Sequence, residues 1–422
     1  GGGGGGDIVK ILHATFNQLV IYLTNETAQD VAFENAFMHT YRTFCTADAL
    51  IGKLKERFNV PSSGGSKSQA DVIRLRVCLA LRRFLEVYEE DDEEPLNLAA
   101  AFVAECVDAD AAAAKVSPLL TRGIGDARKR VRALVEECQQ IDAMQADKAS
   151  DESVFTPDDS PLAKVVALGD DASSPYLAFA AIEPQVLAQQ LALDDYKVYC
   201  DIRPREFYRQ AWTRPRRALA PNVRALIDRF NRLSGVVSTA LVREPRLSRR
   251  VALLEYYVAV MRNLLELQAF SALMAFVAAL SNSPLLRLKH TRAKVGKKCA
   301  LALADMEKLM HMQGSYKRYR THLRHCTAPC TPYLGVFLMD LTFIDEGNPN
   351  VVNGIINWQK RELVWHVIDE LTGYMSGGAY AIKHNERVAA FLDAQPHLSE
   401  KTLYSCSLQI EPRRAELRDL AQ

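Results

Sequence analysis

The chain lacks any long run of apolar residues. Its longest apolar stretches, such as Ala272 to Leu280, are far shorter than the about 20 residues that a membrane-spanning helix needs. The sequence also has no basic and then apolar leader of the kind that marks a secretory signal peptide. We therefore expect neither a transmembrane segment nor a leader. Gly1 to Gly6 carries no structural information, and we expect it to be a linker or the edge of a longer low-complexity region within a larger protein.

The sequence also lacks the regular cysteine spacing of a disulfide framework. Its nine cysteines are an odd number spread over 422 residues, so we expect reduced thiols in a cytoplasmic protein. One short segment contains four residues of types that bind zinc, namely His322, His325, Cys326 and Cys330. Ligands this close together on one helix-to-loop segment rarely converge without a second element, so we predict no metal site.

No spacing of serine, histidine, aspartate or cysteine in the chain predicts nucleophilic catalysis, and we expect no cofactor. There is no strand-rich region and no internal repeat. The composition, with 48% hydrophobic and 24% charged residues, is ordinary for a globular protein, and the length suffices for two or three domains. Apolar residues recur mostly at helical spacing, which predicts an all-α fold of two packed helical domains.

The net charge is only +1, but the charges are distributed unevenly. From Tyr176 to Gln422 the chain has 34 basic and 23 acidic residues, a surplus of 11. Such a surplus favours an acidic protein partner or an anionic membrane, although a solvated basic surface explains it equally well. The basic run from Arg287 to Lys298 has no interleaved aromatic residues that would stack on bases, so we expect no nucleic-acid binding.

The first third of the chain contains four segments with helical periodicity. They are Ile11 to Thr24, Asp30 to Thr43, Ala47 to Phe58 after a threonine cap at Thr46, and Val72 to Tyr88. The pair of glycines in Gly123-Ile124-Gly125 predicts a turn. Residues 144–174, rich in Asp, Ser, Ala and Pro, are the best candidate for a linker.

The segment from Pro332 to Pro349 predicts a helix that ends abruptly. Apolar residues at helical spacing predict a helix over 334–346, and Gly347-Asn348-Pro349 ends it. A second apolar helix follows, with Leu363, Val364, Val367, Ile368 and Leu371 on one face. The short connection predicts an antiparallel helical hairpin. Asp345 and Glu346 stand at the C-terminal end of the first helix, where acids oppose the helix dipole.

This hairpin segment, PYLGVFLMDLTFIDEGNP, resembles that of the Ras-type guanine-nucleotide exchange factors, the Son-of-sevenless class. Other phrases resemble the same family, and together they cover nearly the whole chain, most weakly between residues 89 and 174. They are FMHTYRTF (37–44), IRPREF (202–207) with Trp212, IDRFNRLS (227–234), 270–288 and LYSCSLQIEPR (403–413).

The resemblance implies a domain organisation. Residues 1–6 would be a linker, 7–147 the Ras exchanger motif, 148–175 a linker, 176–414 the catalytic domain and 415–422 a tail. In this family the catalytic domain has a protruding antiparallel helical hairpin, which the exchanger motif braces.

The resemblance also implies the site residues. Glu346 matches the acid that competes at the nucleotide's phosphate site, and Thr342 matches the side chain that faces the magnesium site. Leu341 is expected in the hairpin core, and Asp345 and Asn348 complete the tip. Residues implied in binding the partner are Tyr333, Tyr316, Asp228, Ser281 and Phe343. Asp228 and Ser281 depart from the arginine and asparagine that other members have, and Thr342 replaces the leucine of some members.

The implied activity is nucleotide exchange without covalent chemistry. A hairpin inserted near the magnesium and phosphate sites of a Ras-family GTPase, of the Ras or Rap branch, would promote release of GDP and loading of GTP. The alternative is a helical scaffold that binds a small GTPase without exchange, and a helical scaffold unrelated to G proteins is a third reading. We expect a cytoplasmic protein that segments outside this chain recruit to the inner face of the plasma membrane.

Overall fold

The structure is a computed structural model. It describes residues 11–26, 30–59, 67–89, 92–151, 174–213 and 217–412. The chain divides into two compact units, the first comprising 1–156 and 341–368, the second 157–340 and 369–422. Helices dominate both units, so the all-α prediction is confirmed. No helix in the described ranges is long and apolar enough to cross a membrane.

The first unit begins with six helices. They are α1 (Phe16–Leu23), α2 (Val31–Thr40), α3 (Ala47–Phe58), α4 (Lys67–Val87), α5 (Glu94–Phe102) and α6 (Ser117–Asp151). The threonine cap predicted at Thr46 is confirmed, since its hydroxyl accepts a hydrogen bond from the backbone N–H of Ala49 at 3.3 Å. The turn predicted at Gly123-Ile124-Gly125 is wrong, because these residues lie within α6. Residues 144–151 of the predicted linker belong to α6, and residues 152–173 lie outside the described residues.

Two later helices pass from one unit to the other along the chain. Helix α16 (Leu334–Gly347) enters the first unit at Leu341, and α17 (Trp358–Gly373) leaves it after Ile368. The helix predicted over 334–346 is therefore confirmed to within one residue. The antiparallel and protruding arrangement of the hairpin stays a prediction.

A small antiparallel sheet in the first unit was not predicted. Its strands, β1 (His13–Ala14), β2 (Val351–Val352) and β3 (Ile355–Asn357), lie in the order β1-β3-β2. The turn between β2 and β3 is Asn353-Gly354, and both residues have positive φ, 50° and 80°. Asn-Gly favours this two-residue hairpin turn. The connection between α16 and α17 is thus a β-hairpin, pinned to a strand from the N-terminal segment.

Trp358 lies at the centre of the aromatic core of the first unit. Its side chain is fully buried, and its ring centroid lies 4.5 Å from that of Phe33 and 6.1 Å from that of Phe37. Both phenylalanines belong to α2, within or beside the FMHTYRTF phrase. The first residue of α17 is thereby packed into the core that the N-terminal helices build.

The second unit contains the remaining helices. They are α7 (Pro175–Ala180), α8 (Pro184–Cys200), α9 (Pro221–Arg243), α10 (Leu247–Glu266), α11 (Phe270–Leu280), α12 (Ser283–Leu286), α13 (Lys289–Lys294), α14 (Lys297–Leu309), α15 (Gln313–Leu323), α18 (Glu386–Ala394) and α19 (Glu400–Ile410). Helix α9 packs against α11, and α8 packs against α10. Helix α10 ends at Glu266, and Gln268 with φ 55° turns the chain into α11.

The IRPREF phrase has a structural explanation in this unit. Glu206 is buried, and its Oε2 accepts hydrogen bonds from the backbone N–H groups of Asn222 (2.8 Å) and Val223 (3.0 Å) at the start of α9. A carboxylate at a helix N-terminus satisfies otherwise unpaired donors and complements the helix dipole. Glu206 therefore positions the start of α9, the helix that contains Asp228.

Candidate functional site

The last turn of α16 presents two exposed side chains in the first unit. Phe343 is 64% exposed, and Glu346 is also exposed. Thr342, half-buried, stands four residues before Glu346, so the two side chains lie on one face of the helix, one turn apart. Leu341 is buried, and its place in a hairpin core stays a prediction.

Lys360 of α17 fastens the end of α16. Its ammonium group lies 2.7 Å from Asp345 Oδ1 and donates hydrogen bonds to the backbone carbonyls of Asp345 (2.9 Å) and Asn348 (2.8 Å). The lysine side chain is only 2% exposed. A cation at a helix C-terminus binds the unpaired carbonyls and offsets the dipole. Asp345 therefore forms a structural ion pair, and Glu346 remains the exposed acid at the tip.

Asn348 extends the same arrangement. Its side-chain amide donates to the carbonyl of Ile344 at 3.0 Å, while its own carbonyl accepts from Lys360. Sequence reasoning missed Lys360 because it considered the chemistry of the tip but not how the tip is held. No local spacing signalled it, because Lys360 stands 14 residues after Glu346, beyond the β-hairpin and on the next helix.

Replacing Lys360 with methionine is expected to loosen this tip. The change keeps the buried chain but leaves the Asp345 carboxylate and two carbonyls without their shared donor, at a cost of about 1–3 kcal/mol. Hydrogen exchange at residues 344–350 should accelerate, while α2 to α4 keep their protection. The matched control is Lys53→Met, which breaks an exposed pair with Glu56. Unchanged exchange at the tip would contradict this role for Lys360.

His39 and Trp365 connect α2 with α17 inside the first unit. Their rings stack with centroids 4.1 Å apart and an interplanar angle of 7°. Burial, reinforced by Arg83 and Arg42, lowers the pKa of His39 from 6.5 to about 4. The histidine of the FMHTYRTF phrase is therefore neutral when the unit is folded, and it supports the second hairpin helix through this stack.

The lowered pKa of His39 predicts that the first unit loses stability in mild acid. The unfolded chain takes up the proton near pH 6.5 and the folded chain only near pH 4, so this contribution is complete above pH 6.5 and is lost as the pH falls. Between about pH 7.5 and about pH 5 the expected loss is about 2 kcal/mol. Urea unfolding of the wild type and of His39→Phe at both pH values measures it. The prediction fails if both proteins lose the same stability.

The second unit contains an aromatic cluster built from residues of the expected partner surface. The ring of Tyr333 lies 5.4 Å from that of Phe230 and 6.2 Å from that of Tyr316, between centroids. The backbone N–H of Tyr333 donates to the hydroxyl of the buried Tyr319 at 2.8 Å. Burial raises the pKa of both Tyr333 and Tyr316, so both phenols are neutral.

Gly335 is required for the position of the Tyr333 ring. A Cβ at residue 335 would lie 2.4 Å from the ring and from its hydroxyl, closer than real contacts allow. The ring therefore lies directly over the glycine, which explains the spacing of tyrosine and glycine in Pro332-Tyr333-Leu334-Gly335.

Tyr316 is held by a left-handed turn. Gly314, Ser315 and Tyr316 all have φ between 54° and 62°, a conformation that is unfavourable for the two residues with side chains. Arg320 stabilises the turn by donating through Nε to the carbonyl of Ser315 at 2.8 Å. Its Nη1 and Nη2 bind both carboxylate oxygens of Asp340 at 2.8 and 2.9 Å. This bidentate pair ties the turn to α16.

Asp228 and Ser281 lie elsewhere in the second unit. Asp228 is exposed and pairs with Arg224 of α9 at 3.2 Å. Ser281 is exposed at the C-terminal cap of α11. Neither belongs to the cluster of Tyr333, Tyr316 and Phe230. Within the described parts of the chain, no group of three or more histidine, cysteine or acidic side chains is placed to hold a metal ion.

Comparison with known proteins shows the family to which the chain belongs. Residues 186–362 match the RasGEF domain, and residues 10–104 match the RasGEF N-terminal motif. Ras guanine nucleotide exchange factor A of Dictyostelium discoideum is 30% identical over 98% of this chain and 67% of its own length. The chain belongs to the Ras guanine nucleotide exchange factor family.

Two further relatives from Dictyostelium discoideum are longer proteins. Ras guanine nucleotide exchange factor J is 28% identical over 97% of this chain, which corresponds to 49% of the relative. Ras guanine nucleotide exchange factor S is 29% identical over 96% of this chain, which corresponds to 38% of the relative. The chain thus spans between about two fifths and two thirds of the length of these relatives.

Proposed function

We propose that this chain is a guanine-nucleotide exchange factor that promotes GDP release from a Ras-family small GTPase. The match to both parts of the family supports the activity. The observation that carries the mechanism is the tip of α16, where Lys360 neutralises Asp345 and leaves Phe343 and Glu346 exposed. Residues 7–147 are then the exchanger motif and 176–414 the catalytic domain.

The proposed reaction breaks no covalent bond. A GTPase holds its nucleotide through backbone N–H groups, a lysine and a magnesium ion. The carboxylate of Glu346 would compete with phosphate for these donors. Thr342, one turn away on the same face, would stand near the magnesium position and take up space that the ion and its ligands need, less completely than the larger and more apolar leucine of some members. Both effects weaken nucleotide binding only when the tip is inserted.

The exchange factor and the nucleotide must then oppose each other energetically. If the bound hairpin lowers the affinity of the GTPase for its nucleotide by some factor, the bound nucleotide lowers the affinity for the hairpin by the same factor, because coupling is reciprocal. Each 1.4 kcal/mol of coupling changes the affinity about tenfold. A rigidly held tip cannot move aside when the nucleotide binds, so more of its binding free energy acts against nucleotide binding. Lys360 and the Asn353-Gly354 β-hairpin would provide this rigidity.

The aromatic cluster of the second unit would bind the GTPase surface. Tyr333 and Tyr316 are half-buried, so each offers an apolar ring face and loses little conformational entropy when a partner binds. Asp228 and Ser281 would contribute to the choice between Ras and Rap branches, since they differ from the residues of other members. In this proposal the protein acts in the cytoplasm and at the inner face of the plasma membrane.

A panel of purified Ras, Rap, Ral and Rho-type GTPases tests the activity. Each is loaded with a fluorescent GDP analogue and mixed with the whole chain and excess unlabelled nucleotide. Accelerated release from a Ras-branch or Rap-branch member would support the proposal and identify the substrate. Binding to a nucleotide-free GTPase without acceleration would instead support a non-exchanging scaffold. If no member of the panel binds the chain and none releases its nucleotide faster, the proposal is overturned.

A further inference from the structure

The stretch between Glu266 and Asp305 in the second unit has no acidic residue. Its 38 residues include six lysines and arginines. Four of these are exposed, Lys289 and Lys294 on α13 and Lys297 and Lys298 on α14. Such a stretch carries a local positive charge that the net charge of +1 for the whole chain conceals.

Residues 293–301 form one nearly continuous exposed edge, which we call the lysine edge. Only Val295 and Cys299 within it are half-buried. Lys297 and Lys298 stand one turn before Leu301 on α14 and therefore share its face. Leu301 is 66% exposed, the highest value of any leucine in the described residues, and Leu286 just before α13 is 52% exposed. The lysine edge thus combines three exposed lysines with one large exposed apolar side chain, Leu301.

The stability of the fold does not explain this edge. Lys297 and Lys298 occupy the first turn of α14, where cations oppose the helix dipole. The acids that face the segment are already engaged. Glu255 accepts from the N–H of Gly296 at 2.7 Å, Glu307 lies 4.0 Å from Arg292, and Glu411 binds the backbone N–H groups of His290 and Thr291.

We infer that the lysine edge binds an anionic membrane surface. Flexible lysines suit mobile phosphate and carboxylate headgroups, which require charge rather than fixed geometry. The exposed Leu301 supplies the apolar contact that inserts at the boundary between headgroups and acyl chains. An acidic protein would favour arginine and a defined pocket, and the described residues of this edge have neither. The inference requires no segment outside this chain and does not depend on the exchange activity.

Sedimentation of the whole chain with lipid vesicles tests this inference. Vesicles of phosphatidylcholine alone are compared with vesicles that also contain phosphatidylserine. We expect binding only to the second kind, and weaker binding as salt is raised. The triple variant Lys294→Glu, Lys297→Glu, Lys298→Glu should lower partitioning by roughly a hundredfold or more, since each basic residue near such a surface contributes about fivefold.

The controls separate local binding from net charge and from folding. Lys115→Glu, Lys383→Glu, Lys401→Glu changes the net charge equally at exposed positions elsewhere and should bind far better than the first triple. Leu301→Ser should weaken binding, and Leu119→Ser, at a leucine that is 50% exposed in α6, should not. GDP release in solution should be unchanged in all of these variants. The inference is overturned if both triples lose binding equally, or if the wild type does not bind anionic vesicles.

Discussion

Replacing Thr342 and Glu346 together with alanine is expected to abolish accelerated GDP release while leaving binding of the nucleotide-free GTPase nearly intact. The two side chains share one face of α16, and in the proposed mechanism they act only where magnesium and phosphate bind. Removing a group that acts only in the reacting arrangement typically costs about 3 kcal/mol, or more than a hundredfold in rate. Release of a fluorescent GDP analogue gives the rate, and pull-down of the nucleotide-free GTPase gives the binding.

A matched control exists on the other long helix. Thr372 and Glu370 of α17 have the same residue types and the same exposure classes, half-buried and exposed. Their double alanine variant should retain full exchange. If the Thr342 and Glu346 variant also retains full exchange, the site assignment is wrong, although the activity itself stands. If it loses binding and exchange together, the two residues hold the partner and do not displace the nucleotide.

Local pattern predicted the helices well because their determinants are local. The apolar spacing from Leu334 to Ile344 places α16 within one residue, and a threonine before an apolar run locates the start of α3. Gly123 and Gly125 show the limit of such rules. A Cβ at residue 123 would lie 3.4 Å from the side chain of Leu85 on α4. Close packing of the two helices therefore explains a small residue there better than a turn does.

The three-stranded sheet was missed because most of its information is not local. Strand β1 pairs His13 with Asn357, residues far apart in the sequence, and strands of two or three residues have no detectable periodicity. The turn itself was detectable, since Val351-Val352-Asn353-Gly354-Ile355-Ile356 is a hairpin signature. The attachment of α17 through Trp358 and Trp365 also depends on α2, which no spacing in the hairpin indicates.

The candidate site divides in the same way between what pattern identifies and what packing decides. The exposed acid of the tip followed from the resemblance alone. That Asp345 serves as the partner of Lys360, whereas Glu346 is exposed, follows only from the structure. Two adjacent acids with the same chemistry thus have different roles, because a buried lysine faces only one of them.

Replacing Glu411 with alanine should strongly destabilise the second unit. Glu411 is buried beside the fully buried Arg250, with 3.4 Å between Oε1 and Nη2. Its carboxylate also accepts from the backbone N–H and hydroxyl of Thr291 at 2.9 and 2.5 Å. Removing one partner of a buried ion pair leaves the other charge uncompensated, which typically costs about 3–5 kcal/mol. Urea unfolding followed by a probe in the second unit measures this loss.

The same pair allows a sharper test than a single variant. Arg250→Met with Glu411→Met removes both charges and keeps apolar volume, so the double variant should be more stable than Glu411→Ala even though it changes more atoms. Glu400→Ala on the exposed side of α19 serves as the surface control. A loss below about 1 kcal/mol for Glu411→Ala would indicate an ordinary surface-like pair. In our interpretation the LYSCSLQIEPR phrase reflects the anchoring of α19 to α10 and α13 through the buried carboxylate of Glu411. Such a small loss would contradict that interpretation.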